Sequence, residues 1–291
     1  MLRSFLFVPG DSARKLEKAM HAGADALIAD LEDSVAPSGK DTARQITAEF
    51  LRAARSEADR PRLFVRVNGL ATGLTEADLD GVMPASPDGI VLPKAVGGIA
   101  VSHLGAKLAV REAEFGLDDG ITAIVAIATE TAGSIFTLGT FAGASHRLQG
   151  MTWGGEDLSV DVGAQTNRLE DGSYTDPYRL ARSLTLFGAA AAGVDAIDAV
   201  YTNFRNEAGL AAECHAARRD GFVAKMAIHP AQIAVINETF TPSPAMLAHA
   251  RAVVEAFAKA PGAGVVGLDG EMLDRPHLER AERMLAKVGR A

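Results

Sequence analysis

Eight short apolar runs recur along the first three-quarters of the chain, and each gives way to a stretch with helical spacing. They fall at residues 2–8, 26–31, 62–67, 89–93, 121–129, 148–153, 196–201 and 222–228. They are rich in β-branched or aromatic residues and end at polar residues, glycine or proline, the marks of buried strands. Between them lie segments such as SARKLEKAMHAG, KDTARQITAEFLRAA, PYRLARSLTLFGAAAAG and NEAGLAAECHAARRDG. Several close on a glycine suited to the position after a helix, including Gly23, Gly116, Gly193 and Gly221. Strands joined by helices run parallel and bury both sheet faces. Eight such units predict an α/β fold, a closed TIM (β/α)8 barrel. A doubly wound open sheet is the alternative, but the Gly-x-Gly-x-x-Gly turn that usually follows its first strand is missing.

Past residue 240 the pattern changes. TPSPAMLAHARAVVEAFAKA starts with two prolines and continues as a helix, PGAGVVGLDGEML is glycine-rich, and DRPHLERAERMLAKVG reads as a second helix. No strand is left to add to a closed barrel. The expected organisation is a catalytic barrel over 1–240 and a C-terminal helical extension over 241–291, packed on the barrel or on a neighbouring subunit.

Charge and cysteine content narrow the function. Twenty-nine Lys and Arg against thirty-seven Asp and Glu leave a net charge of −8. That sign is wrong for a non-specific nucleic-acid binder. A single cysteine, Cys214, excludes an internal disulfide and a Cys-rich zinc site, and suits the cytoplasm. No run approaches about 18 apolar residues, and MLRSFLFVPGDSARK lacks the apolar core of a signal peptide. A cytoplasmic protein without a membrane partner is expected.

Barrel enzymes carry their chemistry at the C-terminal ends of the strands. Here those ends read Asp30-Leu31-Glu32-Asp33, Arg66-Val67-Asn68, Pro93-Lys94, Thr129-Glu130 and Trp153-Gly154-Gly155-Glu156-Asp157, and the eighth strand runs through Lys225 to His229-Pro230. Acidic groups at strands five and six suit a hard divalent cation such as magnesium, which takes one or two carboxylates and completes its shell with water and substrate oxygens. Glu130 and Asp157 are the candidate ligands. Arg66 is placed to hold a substrate carboxylate through a bidentate pair. Zinc is disfavoured, because HExxH is missing and the seven histidines are scattered. Lys94 and Lys225 leave a Schiff-base aldolase open, against a plain reading as strand-end salt bridges.

The segments RSFLFVPGDSARKLEKA, DLEDSVAPSGKDTAR, VRVNG, VLPKA, ATETAGS, WGGEDL, AIHPAQI and GEMLDRP occur in this order between residues 2 and 285. In sequence and spacing they closely resemble the citrate lyase beta-subunit-like family of CoA-ester lyases, which includes malyl-CoA, methylmalyl-CoA and citramalyl-CoA lyases. The resemblance implies a homotrimer or larger oligomer, such as a hexamer. It also implies magnesium-dependent cleavage or formation of a carbon–carbon bond in a 3-hydroxyacyl-CoA, giving acetyl-CoA with glyoxylate or pyruvate. Carried over by position, it makes Glu130 and Asp157 metal ligands and Arg66 the clamp on the 2-oxo acid. It puts Glu156 in the loop that closes on that acid, and Asp30, Glu32 and Asp33 behind the ligands in support. Phe7 and Lys18 match positions on the CoA side, and Asp274 matches an acid/base aspartate that reaches the site of an adjacent subunit. One departure stands out. Relatives carry Arg-Pro after the first-strand turn where this chain has Ser12-Ala13, leaving Arg14 as a candidate for the CoA phosphates. His229 is expected to order the turn after strand eight, and Trp153 to pack. A thioesterase of the same fold and a lyase subunit of a citrate lyase complex are the alternative functions.

Overall fold

The computed structural model describes residues 1–288. Eight parallel strands close into a barrel in sequence order: β1 Ser4–Pro9, β2 Ala26–Asp30, β3 Arg62–Arg66, β4 Gly89–Leu92, β5 Ala123–Ile127, β6 Leu148–Thr152, β7 Asp195–Asp198 and β8 Ala224–Ala227. Each lies on one of the eight expected runs. The barrel helices are α1 Ala13–Met20, α2 Lys40–Ala54, α3 Thr75–Val82, α4 Gly98–Glu114, α5 Ala132–Ile135, α6 Gly155–Asp161, α7 Asp176–Ala192 and α8 Glu207–Asp220. They are followed by α9 Ile233–Phe240, α10 Pro244–Ala258, a hairpin of β9 Val265–Leu268 and β10 Glu271–Asp274, and α11 Arg275–Val288. Closure comes through β1 and β8, paired from Ser4 and Lys225 to Leu6 and Ala227.

The barrel is filled by side chains, as its size requires. Phe5, Ile28, Phe64, Val125, Ile197 and Met226 pack together on the axis. Burying each such side chain is worth about 1.5–3 kcal/mol. Gly89 makes room for one of them, because a Cβ there would lie 2.4 Å from the Phe64 ring. No helix among the described residues is long and apolar enough to cross a membrane.

The chain divides into two compact units, residues 2–238 and, with Met1, the residues from 239 onward. The second has its own small core of Ala250, Val253, Phe257, Val266, Leu273 and Ala281. It is helical as expected, with one correction: the glycine-rich segment is an antiparallel hairpin, not a plain link. Its turn is Asp269-Gly270, with φ of 52° and 84°. Positive φ at both central residues is the turn that matches strand twist, and Asp-Gly is its common sequence.

Candidate active site

Charged groups ring the mouth of the barrel at the ends of β2 to β6. Asp30 closes β2 and accepts from Arg66 Nε and Nη2, both at 2.7 Å. The backbone N–H groups of Glu32 and Ser34 also donate to it. Burial works against its charge, yet these donors hold the carboxyl below the ordinary aspartate range. Arg66 Nη1 lies 3.0 Å from Glu32 Oε2, and the guanidinium sits 4.8 Å above the Phe7 ring. Two of its five N–H groups are hydrogen-bonded, both to Asp30, while the Glu32 contact is an ion pair without a hydrogen bond, so Nη1 stays open to a ligand. Arg66 is expected to clamp a substrate carboxylate; in the resting protein one edge of its fork, Nε and Nη2, is held by Asp30.

Lys94, just past β4, adopts a left-handed backbone with φ of 51°. A non-glycine residue holds that conformation only where its surroundings demand it. Here the turn aims the Lys94 N–H at Glu130 Oε2, while its ammonium sits 2.6 Å from Glu32 Oε1 and 3.5 Å from Asp157. Burial lowers the affinity of this amine for its proton, but Glu32, Glu130 and Asp157 together raise it above the usual lysine value. Lys225 is fully buried between Asp198 at 2.9 Å and Glu213 at 2.7 Å, and is likewise held charged against its burial. A Schiff-base lysine must shed its proton to attack. Neither amine is set up to do so, and both take the salt-bridge reading.

Glu130 is the most perturbed acid of the mouth. Burial pushes its carboxyl up to about 8, and the charges of Asp157 and Glu32 add to the effect, against the Lys94 N–H and ammonium. The loop after β6 lies directly on it. A Cβ at Gly154 would come within 2.5 Å of Glu130 Cγ, so only glycine lets this backbone pass. Glu156 and Asp157 follow in the first turn of α6, where the helix dipole favours negative charge. Glu156 Oε1 accepts from Asn167 Nδ2 at 2.9 Å.

Phe7, Arg66, Glu130, Glu156 and Asp157 line one pocket of about 90 Å³, closed on its other side by Ile127, Thr152, Ala199, Val200 and Met226. Trp153 and Tyr174 also border it. The Trp153 N–H donates to Asp198 at 2.8 Å, and its ring meets Tyr174 edge-on at 4.8 Å, so the indole packs as expected. Arg168 and Tyr174 escaped the sequence reading. Arg168 stacks 3.8 Å over the Tyr174 ring and pairs with Glu213 at 3.0 Å, from a loop without periodicity to betray it.

A second, larger cavity of about 490 Å³ opens beside the first, along β1, α1 and the end of β8. Arg14, Lys15 and Lys18 give it a basic wall, and Phe7 lines it as well as the smaller pocket. His229, at its edge, accepts from the Ala231 N–H at 3.2 Å and stacks on Phe204, which makes it the cap of the turn after β8. Asp274 belongs to the other unit, exposed at the end of β10. Its Oδ1 lies 2.5 Å from His277 Nδ1, and this contact holds its carboxyl below the ordinary range.

The described residues bring together no three His, Cys, Asp or Glu side chains able to cage a metal by themselves. Of the carboxylates at the mouth, three line the pocket: Glu156, which accepts from Asn167, and Glu130 and Asp157, which have space beside them. That donor set fits a cation that keeps water and substrate oxygens in its shell, as magnesium does.

Comparison with known proteins agrees with this architecture. A family model described as HpcH/HpaI aldolase/citrate lyase matches residues 3–230, and one described as C-C bond lyase of the TIM-barrel fold matches 175–289. Citrate lyase subunit beta of Leuconostoc mesenteroides subsp. cremoris is 34% identical over 285 residues, 97% of this chain and 92% of the relative. The (3S)-malyl-CoA thioesterase of Cereibacter sphaeroides is 36% identical over 294 residues, 98% and 94% of the two chains. Protein CitE of Mycobacterium tuberculosis, solved with magnesium, acetoacetate and coenzyme A, is 33% identical with a TM-score of 0.77, over 99% of this chain and 98% of that one. Similarity of this extent and depth identifies the chain as a member of the HpcH/HpaI aldolase/citrate lyase family, a family of citrate lyase beta-like carbon–carbon lyases.

Proposed function

We propose that the protein is a magnesium-dependent lyase that cleaves or forms a carbon–carbon bond in a 3-hydroxyacyl-CoA of the malyl-CoA or citramalyl-CoA type. The observation that carries this reading is the pairing of a small acidic pocket with a basic cavity across one shared ring, Phe7. A 2-oxo acid fits the first by size, with Arg66 and a magnesium ion between Glu130 and Asp157 to offset the like charges. The phosphates of CoA suit Arg14, Lys15 and Lys18 in the second. The relative solved with magnesium, acetoacetate and coenzyme A supports the same pairing.

Glu130 and Asp157 would hold the magnesium, which when bound supplies Lewis-acid polarisation of the substrate oxygen. The N–H groups of Arg66 that Asp30 leaves open would fix the acid's carboxylate, and Asp30 keeps the guanidinium in place behind them. In cleavage, the substrate hydroxyl gives up its proton to a base and the bond from its carbon to the acyl α-carbon breaks. The electron pair stays on the acyl fragment as an enolate, which takes a proton to become acetyl-CoA. Glyoxylate or pyruvate is left in the pocket. Asp274, deprotonated under the influence of His277, is assigned the acid/base role, acting at the site of a neighbouring copy in a homo-oligomer. Trimer and hexamer are the assemblies that suit this sharing.

Incubating the purified protein with magnesium and a panel of CoA thioesters, and identifying all products, tests the reading. Acetyl-CoA with a 2-oxo acid supports it. Free thiol with malate instead makes the protein a thioesterase, the activity named for the Cereibacter relatives. Activity only with partner subunits makes it a component of a citrate lyase complex.

Two substitutions probe individual roles. Arg66→Lys keeps the charge but cannot span Asp30 and a ligand at once, so pyruvate or glyoxylate affinity should fall at least about tenfold. Unchanged affinity, measured by calorimetry, would place the clamp elsewhere. Asp274→Asn should lower kcat by about 10²–10⁴-fold while leaving magnesium affinity and melting temperature near the parent's, because the residue is exposed and asparagine keeps its shape beside His277. Mixed oligomers of Asp274→Asn and Asp157→Ala subunits should regain activity, since some of their sites would have both functions intact. Verified mixtures that stay inactive would rule out sharing between subunits.

A further inference from the structure

Thr152 closes β6 with its side chain on the inner face of the barrel. Strands alternate, and Gly150, two residues earlier, borders the cavity on the barrel axis beside Phe5 and Phe64. Thr152 lines the acidic pocket above it, level with Ile127 in the register of β5 and β6. The residue is 1% exposed, and its Oγ1 has no hydrogen-bond partner. Of the other buried threonines, Thr47, Thr75 and Thr185 give their hydroxyls to the backbone carbonyls of Gly10, Asn68 and Ala181, and Thr122 shares the unpartnered state but lies away from the pocket. The cross-strand neighbour of Thr152, Ile127, is apolar, as are Ala199 and Met226 in the same lining, and none of the polar lining residues bonds to the Thr152 hydroxyl. A buried hydroxyl left without a partner weakens the fold, so a lasting instance calls for a partner that arrives later.

Resting on the reading of this pocket as the 2-oxo-acid site, we propose that Thr152 is a substrate-binding residue whose hydroxyl donates a hydrogen bond to an oxygen of the bound acid. The charged rim of Glu130, Asp157 and Arg66 would recognise the acid from one side, and Thr152 from the apolar side. The donor would favour an acid that carries an oxygen at that depth over one that presents only a methyl group there. A site built to bond an oxygen discriminates strongly against ligands lacking it, because its own polar group is then stranded.

Thr152→Val removes the hydroxyl at nearly constant shape. Titrating pyruvate into protein saturated with magnesium, the variant should bind at least about tenfold more weakly than the parent. Without ligand, its melting temperature should equal or exceed the parent's, because a stranded hydroxyl has been removed. Thr152→Ser, which restores the donor, should recover affinity to within about threefold. Equal affinity of parent and Thr152→Val overturns the proposal and leaves the acid site standing. A lower melting temperature for unliganded Thr152→Val also overturns it, since the hydroxyl would then be bonded in the resting protein. A parent that binds neither pyruvate nor glyoxylate overturns the acid-site reading and this proposal together.

Discussion

Glu130→Gln protein should fold, lose its magnesium-dependent turnover by at least about a thousandfold, and melt higher than the parent in EDTA at pH 8. The two effects have one cause. Burial holds the Glu130 carboxyl at about 8, against an ordinary value of 4.5. Between those values the native state keeps a proton that the unfolded chain has released, so stability falls as pH rises through this window. Glutamine has the same shape and can still accept from the Lys94 N–H, but carries no such proton. The gap in melting temperature should therefore be small near pH 4.5 and widen toward pH 8. At the proposed metal site magnesium would take the place of the proton, so the parent's affinity for the metal should weaken as pH falls below about 8. Scanning calorimetry at several pH values, with and without metal, checks the set. A variant that melts lower than the parent throughout would mean that the carboxylate supports the fold rather than burdening it, and full turnover in Glu130→Gln would remove the residue from the metal site.

Asp198→Ala should destabilise the protein by about 3–5 kcal/mol, the cost of stranding a buried charge. Asp198 is fully buried at the end of β7 and holds Lys225 at 2.9 Å, Arg182 at 3.0 Å and the Trp153 N–H at 2.8 Å. Its loss leaves Lys225 with Glu213 alone and the indole N–H with nothing. Combining it with Lys225→Met should recover a good part of the loss, because an apolar replacement for a buried pair is often neutral. Urea denaturation of the two single variants and the double variant measures this directly. Additive losses would show that the pair does not act as a unit.

The barrel was legible because its eight strands are short, β-branched and regularly interrupted, and because their number admits few closed arrangements. The charged rim was legible for a related reason, as polar residues at strand ends are conspicuous after apolar runs. What the rim does with its charges was not. Arg66 stands in the sequence as an arginine after strand three, and nothing there shows that Asp30, 36 residues away, holds its fork. The bond depends on the register of β2 against β3, which pairs these two residues directly. The strained backbone of Lys94 and the stacking of Arg168 on Tyr174 arise in loops, where no period guides the eye. The Asp269-Gly270 turn has a plain signal in its dipeptide, but its strands are only four residues each and lie between two helices, too short to show an alternation of their own.

Phe7 stands as a single wall between two rooms. Its ring lines both the acidic pocket and the basic cavity, and Arg66 rests on it. A molecule leaning on this ring from the basic side would press on the seat of the arginine on the other. Were occupancy of one room felt in the other in this way, the exchange would be even-handed: whatever factor the first guest imposed on the affinity of the second, it would receive back in its own. The order in which the two guests enter is then a matter of rates alone, because either order ends at the same free energy.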